Sequence, residues 1–218
     1  LKTPLAAVQT GIEALAGRDQ RDPKFGAASN EVRSALRRLR RVIDNLLNMS
    51  RIESGVVQAQ LEWCEVSELI DAARDLAGEN LTAHKIMVQC DDHLPMVKID
   101  QALLEQCLCN LLLNAAAWSP PSSTITLTAI LSGSNLVLTV LDQGAGIPPQ
   151  DLLRIFNPFY RTAQAKAGGT GLGLAIVDGF VRAHGGKVEA ANREPRGSKF
   201  TITLPVQTLP VQLMEKLS

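Results

Sequence analysis

The sequence lacks any excess of charge of one sign. Its 218 residues carry 22 Lys and Arg against 22 Asp and Glu, so the formal net charge is zero. A chain without net charge exerts no overall attraction on nucleic acid or anionic membrane, and we expect no nucleic-acid partner. The cluster Arg37, Arg38, Arg40 and Arg41 is therefore interpreted as a solvated helix face rather than as a nucleic-acid patch.

Long apolar runs and a regular cysteine pattern are also missing. No apolar stretch approaches the roughly 20 residues that span a bilayer, and no signal peptide opens the chain, so we expect this piece to be soluble. The lack of a Met before Leu1 suggests an excised fragment. The four cysteines are irregularly spaced, which indicates neither a zinc site nor a disulfide framework. We interpret Cys107 and Cys109, in an apolar helical stretch, as buried reduced thiols.

The first part of the chain has the apolar spacing of helices. In each of two series, apolar side chains recur at steps of three and four residues. This spacing predicts two helices joined by a turn near Gly17. A helical hairpin alone buries too little surface, so we expect a homodimer in which two hairpins form a four-helix bundle. The second helix is predicted to end at Glu53–Gly55. The two series are Leu5, Val8, Ile12 and Leu15, and then Val32, Leu36, Leu39, Ile43, Leu46 and Ile52.

After about residue 60 the pattern changes to short strands and helices. Strands are predicted at 86–90, 97–99, 124–131, 136–141, 187–191 and 199–204. Helices are predicted at 66–76, 102–117 and 174–183. Runs of strands with helices on one face indicate an α+β sandwich. We therefore predict a helical hairpin at 1–58, an α+β domain at 59–208 and a C-terminal tail at 209–218.

The segment Asp142–Pro148 follows a predicted strand and reads DQGAGIP. A carboxylate at a strand end can accept a hydrogen bond from an exocyclic amine. Gly144 and Gly146 let the backbone approach a flat ligand and allow positive φ. The pattern is short, and an ordinary turn after a strand explains it equally well.

The segment Gly168–Leu174 places four glycines ahead of a predicted helix. Free backbone N–H groups and the positive end of the helix both favour a phosphate group there. The segment is not a P-loop, because no Gly-Lys-Ser/Thr follows it. Nor is it a dinucleotide-binding turn, because no strand directly precedes it.

Two amides, Asn110 and Asn114, lie one turn apart in an otherwise apolar predicted helix and therefore share a face. In one interpretation they form a satisfied pair that holds neighbouring backbone. In the other, an amide oxygen holds a magnesium ion together with phosphate oxygens. The spacing alone leaves both open.

Taken in order, these segments resemble the ATP-binding fold shared by histidine kinases, type II topoisomerases, Hsp90 chaperones and MutL repair proteins. The finer resemblance is to sensor histidine kinases, and five boxes in one order across nearly the whole chain make it highly specific. Leu1–Leu5 resembles the end of the histidine box, H-E-L-K-T-P-L. The asparagine, first glycine, phenylalanine and second glycine boxes are matched by Asn110–Ala115, Asp142–Gly146, Ile155–Arg161 and Gly169–Ile176.

The resemblance implies ATP and Mg²⁺ as cofactors. It implies that Asp142 receives the adenine amino group, that Asn114 holds magnesium and that Asn110 lies close to the phosphates. It makes the segment 59–208 the catalytic ATP-binding domain. The other implied ATP-binding residues are Gly144, Gly146, Ile147, Phe159, Gly169, Thr170, Gly171, Leu172, Gly173 and Leu174.

The resemblance also implies residues that act on the phosphoryl group. Arg161 and Lys166 would lie on a lid at about 148–169, and either cation could steady the transferred phosphoryl group. Thr3, one helical turn after the acceptor histidine, is a candidate to orient water for dephosphorylation. Its alternative role is that of a hydroxyl near the start of a helix beside Pro4.

The implied function is that of a two-component sensor kinase core. Such a core passes the γ-phosphate of ATP to a histidine on the hairpin, and from there to an aspartate of a response regulator. The acceptor histidine would lie just before Leu1, whereas the histidines here are His84, His93 and His184. We interpret His184 as the end of a helix. We therefore expect the chain as given to bind nucleotide without phosphorylating itself.

A finer resemblance is to the potassium-sensing KdpD type. The stretches Asp92–Pro95, Asp100–Leu112 and Asn192–Gly197 are similar to it. This type implies potassium or osmotic-stress signalling by the cytoplasmic domain of a bacterial inner-membrane sensor, with membrane contact only through segments outside this sequence. Two departures from the family are Ala117, where a Lys or Arg is usual, and Asn157, where an acid is frequent.

Two other functions are weighed against the kinase. A degenerate core would bind nucleotide or dock a partner without transfer, and Ala117 motivates that alternative. An ATP-hydrolysing relative would need a base for water, which in such proteins is a glutamate one turn before the magnesium asparagine. Here that residue is Asn110, and an amide cannot serve as a general base. The site therefore suits an incoming imidazole, which is nucleophilic near neutral pH.

Overall fold

A computed structural model describes residues 23–91, 94–162 and 169–209. The chain divides into two compact units, Leu1–Arg51 and Ile52–Ser218. Among the described residues, no helix has both the length and the apolar character needed to cross a membrane. The first predicted helix of the hairpin, with Thr3, lies outside the described residues, as does Lys166.

Helix α1 runs over Pro23–Glu53, as the second series of apolar residues predicts. It ends where expected, because Gly55 adopts a φ of 68° and its N–H donates to the Ile52 carbonyl at 3.0 Å. Several apolar side chains of this helix remain exposed within the single chain. Their exposed fractions are 47% for Leu36, 44% for Ile43, 37% for Leu46 and 60% for Leu47.

A mixed five-stranded sheet forms the framework of the second unit. Its strands are β2 (Lys85–Cys90), β4 (Thr124–Ser132), β5 (Asn135–Leu141), β6 (Lys187–Asn192) and β7 (Ser198–Pro205). Their order is β2-β4-β5-β7-β6, with β2 parallel to β4 and every other neighbouring pair antiparallel. This order brings the end of β5 beside the start of β7, where Leu141 pairs with Lys199.

Three helices complete the sandwich: α2 (Val66–Ala77), α3 (Gln101–Trp118) and α4 (Gly173–Ala183). Alternate residues of the central strands are buried, which is the pattern of a sheet with one covered face. Helix α3 buries side chains along its length, Cys107 and Cys109 among them, and neither cysteine is in a disulfide. The predicted α+β sandwich is confirmed. The buried row on the central strands comprises Ile125, Leu127, Ala129, Leu136, Leu138, Val140, Phe200, Ile202 and Leu204.

A second, three-stranded sheet was only partly predicted. It has the order β1-β3-β8 and consists of β1 (Glu62–Cys64), β3 (Met96–Ile99) and β8 (Thr208–Leu209). Only β3 was predicted. The other two have three and two residues, too few for a period to be read, and they exist because they pair antiparallel with β3.

Candidate functional site

Asp142 lies directly after β5 and is buried, with 2% of its surface exposed. Its carboxylate accepts hydrogen bonds from the backbone N–H groups of Gly144 at 2.7 Å and Ser198 at 3.0 Å, both on Oδ1. Its other oxygen, Oδ2, accepts from the Ser198 hydroxyl. The antiparallel pairing of β5 with β7 explains this arrangement, because it sets Ser198 opposite the residue that follows β5.

The carboxylate of Asp142 retains one unused acceptor position. An ionised carboxylate offers about four lone-pair positions. The two N–H groups use those of Oδ1, and the Ser198 hydroxyl uses one of Oδ2. One position on Oδ2 therefore has no donor among the described residues.

The two glycines of residues 142–147, the first glycine segment, approach their neighbours too closely to carry side chains. A Cβ at Gly144 would lie 2.8 Å from the Trp118 carbonyl oxygen, and one at Gly146 would lie 2.8 Å from Asn192 Oδ1. Gly146 also has a φ of 81°, which side-chain-bearing residues rarely adopt. The local structure therefore favours glycine at both positions, while the approach to a flat ligand stays a prediction.

The two asparagines of α3 are half-buried rather than fully buried. Asn114 Oδ1 accepts a hydrogen bond from the Trp118 indole N–H at 3.1 Å, across one turn of the helix. Asn110 faces the start of α4, where a Cβ at Gly173 would lie 3.7 Å from Asn110 Oδ1. The helix thus carries one amide beside Trp118 and one beside the N-terminus of α4.

In the second glycine segment, residues 169–173, the space available to a side chain differs from one glycine to the next. Gly171 has a φ of 73°, and a Cβ there would meet the Phe159 carbonyl carbon at 2.7 Å. Within the described part of the chain, a Cβ at Gly169 would meet nothing within 4 Å. Thr170 Oγ1 accepts from the Leu172 N–H at 3.3 Å, and the Leu172 side chain is fully buried. The buried leucine anchors the segment where α4 begins, and Leu174 follows in its first turn.

The part of the predicted lid that is described contains a local polar cluster. The Tyr160 hydroxyl donates to Asp151 Oδ1 at 2.6 Å, and this hydrogen bond raises the pKa of Tyr160. The Arg154 guanidinium lies 4.7 Å from the Tyr160 ring centroid. Phe159, predicted to bind ATP, has a φ of 62° and an exposed ring, so it approaches Gly171 through its main chain. Arg161 is exposed as well.

His184 stands apart from these groups and ends α4 as predicted. Its Nε2 accepts the Asp100 backbone N–H at 3.0 Å, so the ring proton lies on Nδ1, which is 2.8 Å from the Phe180 carbonyl oxygen. Asp100 in turn caps α3 by accepting the Leu103 N–H at 3.1 Å. His184 therefore joins two helix ends.

Sequence reasoning missed several contacts around Asp142. Ser198 gives the carboxylate two of its three donors, and Arg193 Nη1 donates to the Asp142 carbonyl at 3.0 Å. Trp118 was not assigned a role either. The stretch Asn192–Gly197 was noticed as a resemblance, but only the strand pairing shows that it lies against the first glycine segment.

Two family models match the chain. The model described as "Histidine kinase-, DNA gyrase B-, and HSP90-like ATPase" matches residues 99–208, and that of the "His Kinase A (phospho-acceptor) domain" matches residues 1–55. The sensor protein KdpD of Escherichia coli (strain K12) is 35% identical over 213 residues. That alignment covers 96% of this chain but only 24% of the relative, so the chain spans a minor part of that protein.

Solved structures have the same fold. The mycobacterial sensor histidine kinase MprB is 30% identical with a TM-score of 0.61, over 68% of this chain and 100% of that one. Full-length ShkA, solved in complex with AMPPNP, gives a TM-score of 0.73 over 96% of this chain and 44% of that one. At 22% identity the ShkA likeness shows the fold alone.

Proposed function

Because this chain belongs to the histidine kinase-, DNA gyrase B- and HSP90-like ATPases and is a sensor histidine kinase core, we propose that it binds ATP with magnesium and delivers the γ-phosphate to a histidine. The phosphate then passes to an aspartate of a response-regulator receiver domain. The regions are proposed as a phosphotransfer hairpin at 1–58, an ATP-binding domain at 59–208 and a tail at 209–218.

The geometry of Asp142 is the single observation that carries this proposal. Three protein donors hold its buried carboxylate, and one acceptor position remains on Oδ2. The exocyclic amine of adenine is a donor of the right kind, and guanine presents a carbonyl at the same place on its ring. Gly144 carries no Cβ beside the carboxylate, where one would lie 3.0 Å from Asp142 Oδ1. The site therefore favours adenine over guanine.

The phosphates are assigned to the start of α4. The N–H groups of the second glycine segment and the positive helix end favour anionic oxygen there, and Asn110 lies beside Gly173. Asn114 would hold Mg²⁺, which prefers oxygen ligands. Its amide oxygen has two lone pairs, and Trp118 uses only one of them, so the residue fits that role.

The remaining catalytic roles rest on positioning and charge. Arg161 and Lys166 are proposed to neutralise charge on the transferred phosphoryl group, and Thr3 to orient water in the reverse reaction. Asn110 supplies no base, so hydrolysis should be slow compared with transfer to an imidazole. The pairing of two chains is supported by the exposed apolar row on α1. Potassium or osmotic-stress sensing is proposed from the likeness to KdpD.

Nucleotide binding is tested with the isosteric substitution Asp142→Asn. The amide keeps an acceptor oxygen for the two N–H donors but presents N–H to the adenine amine, where Asp142 Oδ2 accepted. Losing a hydrogen bond to a charged acceptor should weaken ADP binding roughly ten- to a hundredfold by calorimetric titration with magnesium. An unchanged dissociation constant would place the base elsewhere.

Phosphotransfer is tested in a chain extended by a helical segment that ends in His-Glu before Leu1. Incubation with γ-labelled ATP should leave an acid-labile label, and replacing that added histidine by Gln should abolish it. The sequence as given should remain unlabelled. If the extended chain binds ADP yet acquires no label even with a receiver domain present, the alternative of a nucleotide-binding module without transfer is favoured.

A further inference from the structure

The turn between β6 and β7, residues 192–198, contacts the near end of the first glycine segment. Ser198 holds the Asp142 carboxylate, and its carbonyl accepts the Asp142 N–H at 3.0 Å. Arg193 Nη1 donates to the Asp142 carbonyl at 3.0 Å, and Arg196 Nε donates to the Gln143 carbonyl at 3.0 Å. Both backbone and side chain of Asp142 are therefore oriented by one neighbouring turn.

The same turn contacts the far end of the segment through a single side chain. Asn192 Oδ1 accepts the Ile147 N–H at 2.7 Å, and Asn192 Nδ2 donates to the Ile147 carbonyl at 2.8 Å. Both bonds go to one residue, so the amide replaces the paired bonds that a neighbouring strand would make. A Cβ added at Gly146 would lie only 2.8 Å from Asn192 Oδ1.

We propose that Asn192 is a positioning residue that sets the adenine selectivity of the site by fixing the far end of the first glycine segment. This inference rests on the proposed function, since it needs adenine to lie against Asp142. A segment tied only at Asp142 would sample more conformations around Gly144 and Gly146, and ordering it would oppose binding. When hydrogen bonds hold both ends of the segment, the Asp142 carboxylate and the glycine backbone are already positioned before the base binds.

The exposure of Asn192 makes the inference testable. The residue lies on the surface, so removing its amide opens no cavity in the core. Asn192→Ala removes both bonds to Ile147. Asn192→Asp keeps an acceptor for the Ile147 N–H but places a carboxylate oxygen against the Ile147 carbonyl, so it should be intermediate. Glu189→Gln is the matched control, because Glu189 is exposed on the same strand and its carboxylate pairs with Lys187 at 3.0 Å.

The measurement is the ratio of the dissociation constants for GDP and ADP, each titrated with magnesium, with a thermal melt of every variant. Two neutral hydrogen bonds are worth a factor of roughly five to 150 together. Asn192→Ala should therefore weaken ADP binding by about that factor and leave GDP binding nearly unchanged, so the ratio falls. Glu189→Gln should leave the ratio as in the unsubstituted chain.

Three results would overturn the inference or its premise. An unchanged ratio in Asn192→Ala, with ADP binding intact, removes any positioning role. Equal weakening of ADP and GDP, or a lower melting temperature without a change in the ratio, assigns Asn192 a structural role only. An unsubstituted chain that binds neither nucleotide, or binds both equally, contradicts the proposed function itself.

Discussion

Gly171 offers the sharpest perturbation of the second glycine segment. A Cβ there would lie 2.7 Å from the Phe159 carbonyl carbon and 2.9 Å from its Cα, against main-chain atoms that cannot rotate away. The left-handed φ of 73° adds a cost of about 1–2 kcal/mol for a residue with a side chain. Overpacking against fixed neighbours adds about 1–3 kcal/mol, so Gly171→Ala should cost about 2–5 kcal/mol in total.

That cost can appear in either of two ways. If the contact with Phe159 is kept, the whole unit is destabilised, and the melting temperature should fall by about 4–20 °C. If the segment detaches locally, the melting temperature is preserved and only nucleotide affinity is lost. In the second case ADP binding, measured by calorimetry with magnesium, should weaken at least about tenfold.

Gly169→Ala is the matched control for that experiment. A Cβ at Gly169 meets no atom of the described residues within 4 Å and its φ lies outside the left-handed range, so the substitution should be nearly neutral. Comparing the two variants separates a requirement for close backbone approach from a general need for flexible glycines. If Gly171→Ala matched Gly169→Ala in both melting and ADP affinity, the contact with Phe159 would not matter and the reasoning would be refuted.

Three further predictions concern other parts of the chain. Trp118→Phe removes the N–H that orients Asn114, so magnesium-dependent ADP affinity should fall about fivefold in calorimetry, and an unchanged affinity would contradict that role. Ile43→Glu charges the exposed row of α1, so light scattering should show monomers where the unsubstituted chain is a dimer; a dimer in both would show that another surface pairs. The pKa of Cys64 is raised from 9.0 to about 11, chiefly by burial. As the pH rises, the thiol therefore loses its proton in the unfolded chain before it does so in the folded one, and the free energy of unfolding should fall between pH 9 and pH 11. Urea titrations should show that loss, and Cys64→Ala should flatten it.

The sequence predicted the long elements well because each one carries its own periodic pattern. Helix α3 differs from its predicted range by one residue at each end, and strands β4 and β5 differ by one residue at one end. Strands β1 and β8 were missed because they are stabilised by pairing with β3, which no local pattern shows.

The site was predictable where chemistry is local and unpredictable where it depends on pairing across the sheet. Asp142, Gly146 and Gly171 could be singled out by residue type alone. The structure shows a steric or hydrogen-bonding reason for each of these residue types. Ser198 and Asn192 act on residues about fifty positions away, through the order β5-β7-β6. Predicting them would have required the sheet topology in advance.

The environment of Trp118 makes this residue an intrinsic fluorescence probe of the site. The chain has two tryptophans. The Trp118 indole N–H donates a hydrogen bond to Asn114, the residue proposed to hold magnesium, and the Trp118 backbone carbonyl lies beside Gly144. Trp63 lies on the small sheet, with the Lys98 ammonium 6.0 Å from its ring centroid. Replacing Trp63 by Phe would leave Trp118 as the one tryptophan, and its emission should report nucleotide exchange in real time without any attached dye.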